Sequence, residues 1–418
     1  MARNTYFNPD REPLKHEAAL RLNNDKIHGP FAFLNPTQAH FDHPGKDDPT
    51  SPQDDVPASN IGFKWTSRNN RKGRHALVIQ SSDMAHARFL TPPPTNTLKA
   101  ILKNIWRMVW YYPVWDVSWL VAYVFVWGSI VWVINAFFAL LPYTNPSTKF
   151  PGESLYGGGI SAFIGATIFE LGSVLLMFEA VNENRSGCFG WALEQVFDEQ
   201  YDRAVARISP NGCFHHHLNK RNFVGKAKDG GVITAEGANA QVPVDGTPPG
   251  ANAWVWWPSW YELKTHYIHD LGFLACSSQM FGATVFWISG FTALPGIYNH
   301  LTPARLLNGA YWVPQVIGGS GFVVSGTLFM IETQKHWWEP APTVLGWHIG
   351  FWNLIGGIGF TLCPIFGFST VYWRQMQAAC STFWGSWAFL IGSCIQWYES
   401  LDKNPVETAA DEQGSASS

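Results

Sequence analysis

Glu170 is the one charged residue in the run from Tyr156 to Phe178. Glu179 follows nine residues later, so at helical rise Glu170 sits about 13 Å deeper along the chain. That is near the middle of any bilayer the run would cross. An ionisable group at that depth is costly, and two chemistries suit it. In the first, Glu170 binds a proton or cation in a polar site, with Asn135, Gln279 and Asn353 as candidate neighbours. In the second, it is hydrogen-bonding glue between helices. No Lys or Arg stands in the apolar runs to pair with it.

Three further carboxylates, Glu179, Glu332 and Glu399, close similar runs. They read either as solvated boundary residues or as a ring of acids at the mouth of a bundle, where such rings select cations. His348 reads as a headgroup-level residue. Cys188, Cys213 and His215 to His217 do not fit the paired Cys-x2-4-Cys and His-x3-5-His spacing of zinc sites, so no metal is expected. Cys363 and Cys380 should share one face, where a disulfide is conceivable. Phosphate loops, nucleophile elbows and paired catalytic carboxylates are absent from the sequence, so neither catalytic residues nor a cofactor are expected.

The elements that must hold these residues follow from charge and hydropathy. Charged residues are 14% of the 418, against about 25% in ordinary globular chains. With 28 Lys and Arg against 31 Asp and Glu, there is no basic excess to suggest nucleic acid. Six segments are long and apolar enough to span: 117–141, 156–180, 271–297, 310–331, 345–368 and 379–398. All Lys and Arg except Lys149, Arg305 and Arg374 fall on one side when the spans alternate. That side is the cytoplasm, and both termini belong there.

The expected fold is an all-α polytopic membrane protein of six helices. Residues 1–97 read as a disordered cytoplasmic tail without a signal peptide, and 400–418 as a second such tail. Residues 98–116 read as an amphipathic juxtamembrane helix, because Lys99, Lys103 and Arg107 form one stripe among apolar neighbours. Such a stripe faces anionic lipid headgroups. The upstream cluster Arg68, Arg71, Lys72 and Arg74 reads as a solvated basic run. The loop 181–270 is expected to hold a partial helix over Trp191 to Ile208 and, with the tail, to offer a surface to protein partners.

The spans also resemble one another. Gly165, Gly172, Ser173 and Glu179 in the second span match Gly385, Gly392, Ser393 and Glu399 in the sixth. The fourth offers Gly319, Gly326, Thr327 and Glu332, one residue short, which would turn Glu332 about 100° away. The odd spans match through Gly128 and Pro142, Gly282 and Pro295, and Gly359 and Pro364. Three hairpins result, at 117–180, 271–332 and 345–399. The Gly stripes are expected at helix contacts, with Ser173, Thr327 and Ser393 hydrogen-bonding across them. The segment Phe383 to Trp397, with Gly385, Gly392 and Ser393, resembles the YrhK-like membrane hairpin. The arrangement over about 98–405 is similar to uncharacterised integral membrane proteins of filamentous fungi. That resemblance implies an architecture and no activity. The reading is therefore a non-enzymatic membrane bundle, with a proton- or cation-coupled transporter or channel around Glu170 as the alternative.

Overall fold

The computed structural model describes residues 21–42, 61–74, 76–79, 97–183, 185–189, 254–401 and 406–408. The chain divides into two compact units, one made of the termini with the loop around 182–258, the other of Ser118–Val181 and Ser259–Ser400.

The first unit departs from the disordered tails expected at both ends. Strands β1 (Arg21–His28), β2 (Gln38–Asp42), β3 (Ile61–Thr66), β4 (Ala76–Ile79) and β5 (Val406–Thr408) form one sheet in that order. The first three pairings are antiparallel, and the C-terminal β5 adds parallel to β4. The physical reason is alternation: Ala39 and Phe41 bury one face of β2, and Trp65 buries opposite Ala39. Each run is only three to eight residues long, too short to stand out from a polar, Pro-rich background.

Helix α1 (Ser67–Arg71) follows β3, capped by the Thr66 hydroxyl accepting from Asn69 N at 3.1 Å. It carries the expected solvated basic run, and here the structure differs: Arg68, Arg71, Lys72 and Arg74 are all buried. Asn70 donates to Glu183 at 2.6 Å and the Ser186 hydroxyl to the Lys72 carbonyl at 3.1 Å, so this turn is fastened to the segment after residue 181. Asn182 and Val255 exchange two hydrogen bonds, which close the loop's two ends on each other. Helix α2 (Leu98–Trp110) is shorter than the expected 98–116 and stops before Pro113. The Trp191 to Ile208 helix and the histidine tract lie outside the described residues.

The second unit has six helices long and apolar enough to cross a membrane, as expected for a multi-pass membrane protein. They are α3 (Val117–Thr144), α4 (Gly159–Val181), α5 (Leu271–Thr292), α6 (Val313–Glu332), α7 (Leu345–Gly367) and α8 (Tyr372–Ser400). Helices α4 and α6 are each entered through a π-helical turn, Glu153–Gly158 and Asn308–Trp312.

Neighbours in the chain are neighbours in space. Trp132 of α3 meets Phe169 of α4; Trp287 of α5 donates to Thr167 of α4; Gly319 of α6 lies against Thr361 of α7; and Gly359 of α7 lies against Gly385 of α8. Ser129 and Ser393 at 3.4 Å, with Tyr123 against Trp397, bring α8 back to α3. The result is a closed ring of six helices. Its backbones approach closely at α5 with α6, where a Cβ on Gly282 would stand 2.8 Å from the Gly318 carbonyl oxygen, and at α6 with α7, where one on Gly326 would stand 2.5 Å from Leu354 N. Only glycine admits backbones that close, and lipid supplies no hydrophobic drive to replace the lost packing.

Candidate functional site

The middle of the ring is filled by one aromatic side chain from each helix. Trp132, Phe169, Phe286, Phe322, Phe360 and Phe389 are all buried. Those from α3, α5 and α7 form a triangle with centroid separations of 5.6, 4.9 and 5.5 Å. Those from α4, α6 and α8 form a second, at 6.3, 5.5 and 5.9 Å. The triangles touch pairwise, at 6.4 Å between α3 and α4, 5.7 Å between α5 and α6, and 5.2 Å between α7 and α8. Most of these pairs are edge-on, the arrangement that aromatic quadrupoles favour.

A sequence signal for this cluster exists. Four residues before every one of the six rings stands a glycine: Gly128, Gly165, Gly282, Gly318, Gly356 and Gly385. Four residues is about one helical turn, so each glycine lies on the same face as its ring. Across the α3–α4 contact the seats are reciprocal. A Cβ on Gly128 would meet the Phe169 ring at 2.6 Å, and one on Gly165 the Trp132 ring at 2.9 Å. The same exchange joins Gly356 to Phe389 and Gly385 to Phe360. The glycine register expected from sequence is thereby shifted in two helices, to Gly318 in α6 and Gly356 in α7.

This register also revises Glu332. Counted from the rings, Glu179, Glu332 and Glu399 each stand ten residues on, so Glu332 is in phase with its counterparts. Their exposures are 0, 2 and 6%, so none is a solvated boundary residue.

The other packing residues divide. Gly172 seats Phe125, while Gly326 lets α6 meet the Leu354 backbone and Gly392 faces Trp352 and Asn353. The Ser173 and Thr327 hydroxyls turn back to carbonyls of their own helices, contrary to the expected cross-helix bonds. Only Ser393 reaches another helix.

Glu170 points the other way from its neighbour Phe169. It is half-exposed on the outer flank of the ring, where Thr284 of α5 donates to its Oε1 at 3.0 Å. Its Oε2 is buried and has no hydrogen-bond partner. The Thr284 hydroxyl also lies 2.9 Å from the Met280 carbonyl.

The four polar residues expected to share one site do not hydrogen-bond to one another. Asn135 donates to the Gly158 carbonyl at 2.7 Å and to Ser161 at 2.9 Å, between α3 and α4. Gln279 and Asn353 each stand seven residues before the ring of their helix, on its inner face. Helix geometry alone separates them from Glu170. A polar contact not foreseen joins Gln315 to Ser289 at 2.8 Å between α6 and α5. His348 Nε2 bonds to the Pro342 carbonyl at 2.7 Å on the exposed side. Cys363, Cys380 and Cys394 are free thiols, so Cys363 and Cys380 are not bridged. Among the described residues no cluster of three or more His, Cys, Asp or Glu is placed to hold a metal.

On α2, Leu98, Leu102, Ile105, Trp106 and Val109 form an exposed apolar stripe, with Lys99, Lys103 and Arg107 on the adjoining face. Arg107 stacks over the Tyr111 ring at 4.2 Å.

Comparison with protein families, with characterised proteins and with solved structures finds no match to this chain.

Proposed function

We propose that the protein is a non-enzymatic membrane scaffold. On this reading it is built as three copies of one helical hairpin, has both termini in the cytoplasm and offers its surfaces to partners. The six-ring cluster carries the proposal. Closing the centre with aromatics from every helix makes a rigid bundle and leaves its middle dry, whereas transport requires a path. The recurring Gly-x3-aromatic register, with reciprocal seats inside the first and third hairpins, supports the three-hairpin reading. The likeness of residues 383–397 to YrhK-like hairpins, and of the arrangement over about 98–405 to fungal membrane proteins, belongs to the same proposal. The bias of Lys and Arg supports the orientation. The exposed apolar stripe and basic residues of α2 support attachment to an anionic leaflet.

Two experiments on vesicles bear on this. Purified protein in liposomes is expected to leave proton and potassium gradients intact; specific flux would sink the scaffold reading. Replacing Lys99, Lys103 and Arg107 by Gln is expected to cost about 1 kcal/mol each in affinity for phosphatidylserine-containing membranes. The readout is binding of an α2 peptide to vesicles with and without that lipid, and equal binding to both would remove the anionic-leaflet claim.

Transport keeps one observation of its own. Gln279, Asn353 and Gln396 lie seven residues to one side of their rings, and Asn135 and Ser289 three residues to the other, so polar layers flank the aromatic centre. A hydrophobic constriction between polar layers is the form of a gate that closes by dewetting. Under that reading Phe322→Ala opens a measurable leak, whereas the scaffold reading predicts loss of stability alone.

A further inference from the structure

The three contacts between successive hairpins are α4 with α5, α6 with α7, and α8 with α3. Counted from the central rings, they correspond position by position. Phe163 against Phe291, at 6.2 Å, stands where Phe383 meets Phe137 at 5.2 Å. Ser277 with Met177 stands where Tyr123 meets Trp397. The same count puts Val323 and Ile358 at the places of Glu170 and Thr284 in the second seam, and Leu390 and Ile130 in the third. Two of three seams therefore hold together with apolar pairs at this depth. The bundle has no structural need for the carboxyl in the first.

From this we infer that the α4–α5 seam is a docking site for a transmembrane helix of another polypeptide, one carrying a Lys or Arg near its midpoint. The inference rests on the scaffold reading and names its partner.

Three observations select that occupant. First, the carboxyl is half-buried: Oε1, which accepts from Thr284, lies on the accessible outer side where a cation can reach it, while Oε2 is buried without a hydrogen-bond partner. A carboxylate in hydrocarbon is tolerated when paired with a cation. Second, no Lys or Arg lies at this depth in any of the six helices, so a second copy of this chain cannot supply the charge. Third, the pairs whose residues are not repeated in the other seams extend from Met177 with Ser277, through Glu170 with Thr284, to Thr167 with Trp287. Ten residues separate Thr167 from Met177, about 15 Å at helical rise. A feature of that length suits a helix and exceeds a compact ligand. Exposed Ile164 and Leu171 on α4 and Phe281 and Ile288 on α5 form the apolar ridges on either side.

The test uses the full chain, labelled with a donor fluorophore in phosphatidylcholine liposomes, and a synthetic helix of about 20 Leu and Ala residues bearing one central Lys and an acceptor. A Lys-free peptide is the reference. Association of the Lys peptide is expected to be at least about tenfold tighter than the reference, the size of a modest pairing energy. Glu170→Gln should reduce it to the reference level and Thr284→Val should weaken it. Val323→Glu combined with Ile358→Thr should create a second site and double the saturating transfer. Equal binding of both peptides, or binding indifferent to Glu170→Gln, would overturn the inference. Glu170-dependent transfer between two labelled copies of the full chain would overturn it in favour of self-association. Gradients measured in the same vesicles separate the two readings. Tight vesicles without peptide binding remove the docking site alone, and leaking vesicles remove the scaffold reading alone.

Discussion

Phe169 and Glu170 are adjacent in sequence and belong to different worlds. Phe169 enters the centre of the ring, touches rings from three other helices there and has counterparts in every span. Glu170 turns about 100° away, onto the outer flank, and has no counterpart in α6 or α8. Positions that obey the recurring register hold the bundle together. Positions that break it are free to be spent on recognition.

The comparison is broken most severely at the centre. Phe322 is 1% exposed and touches Phe169, Phe286 and Phe389. Its replacement by Ala leaves a cavity that three rings cannot fill together, and about 3 to 5 kcal/mol of stability is expected to go. Thermal unfolding in mild detergent checks this. A loss under about 1 kcal/mol would show that the six rings are not the keystone they are taken to be.

Next in size is the close approach of α5 and α6. Gly282→Val places side-chain carbons where the Gly318 and Gly321 backbones already stand. Overpacking of this kind costs about 1 to 3 kcal/mol. Gly309, where a Cβ would meet nothing within 4 Å, serves as the control, and its Ala variant should melt with wild type.

How much of this was readable beforehand differs by region for physical reasons. The six spans were legible because about 20 apolar residues without Lys or Arg have few other uses. The central rings were not singled out, since aromatics make up 15% of the chain and a single Phe in an apolar run has no fixed direction. The missing key was the glycine one turn before each ring, which sets direction once all six helices are read together. Glu170 was legible in depth and not in azimuth: hydropathy locates a residue along the helix axis, while Thr284 is a partner that only the ring order of helices supplies. The sheet was missed because short strands in a polar stretch declare themselves only through pairing, and β5 comes from the opposite end of the chain. The buried basic residues after β3 were misread for the same reason, composition being blind to what a charge is folded against.

A smaller effect sharpens the comparison between seams. Ser129 and Ser393 join α3 to α8 through hydroxyls 3.4 Å apart, wholly inside the bundle. Hydrogen bonds between membrane helices average about 0.6 kcal/mol in double-mutant cycles, so Ser129→Ala with Ser393→Ala should show a coupling of about that size. A coupling near zero would mean that the apolar and aromatic pairs of this seam, Tyr123 with Trp397 and Phe137 with Phe383, hold it alone.

The smallest expected change in stability is at Glu170. Gln keeps the shape and an oxygen to accept from Thr284, and the side chain lies on the outer flank where no inner packing depends on it. Substitutions of that kind stay within about 0.5 kcal/mol. The same change is expected to abolish capture of the Lys-bearing helix, so stability and recognition should come apart at this one residue. If Glu170→Gln melted as early as Phe322→Ala, the carboxyl would be a structural pin. Its absence from the other two seams would then mean that α4 and α5 hold each other by a different device, and the division between register-keeping and register-breaking positions would fail where it was drawn.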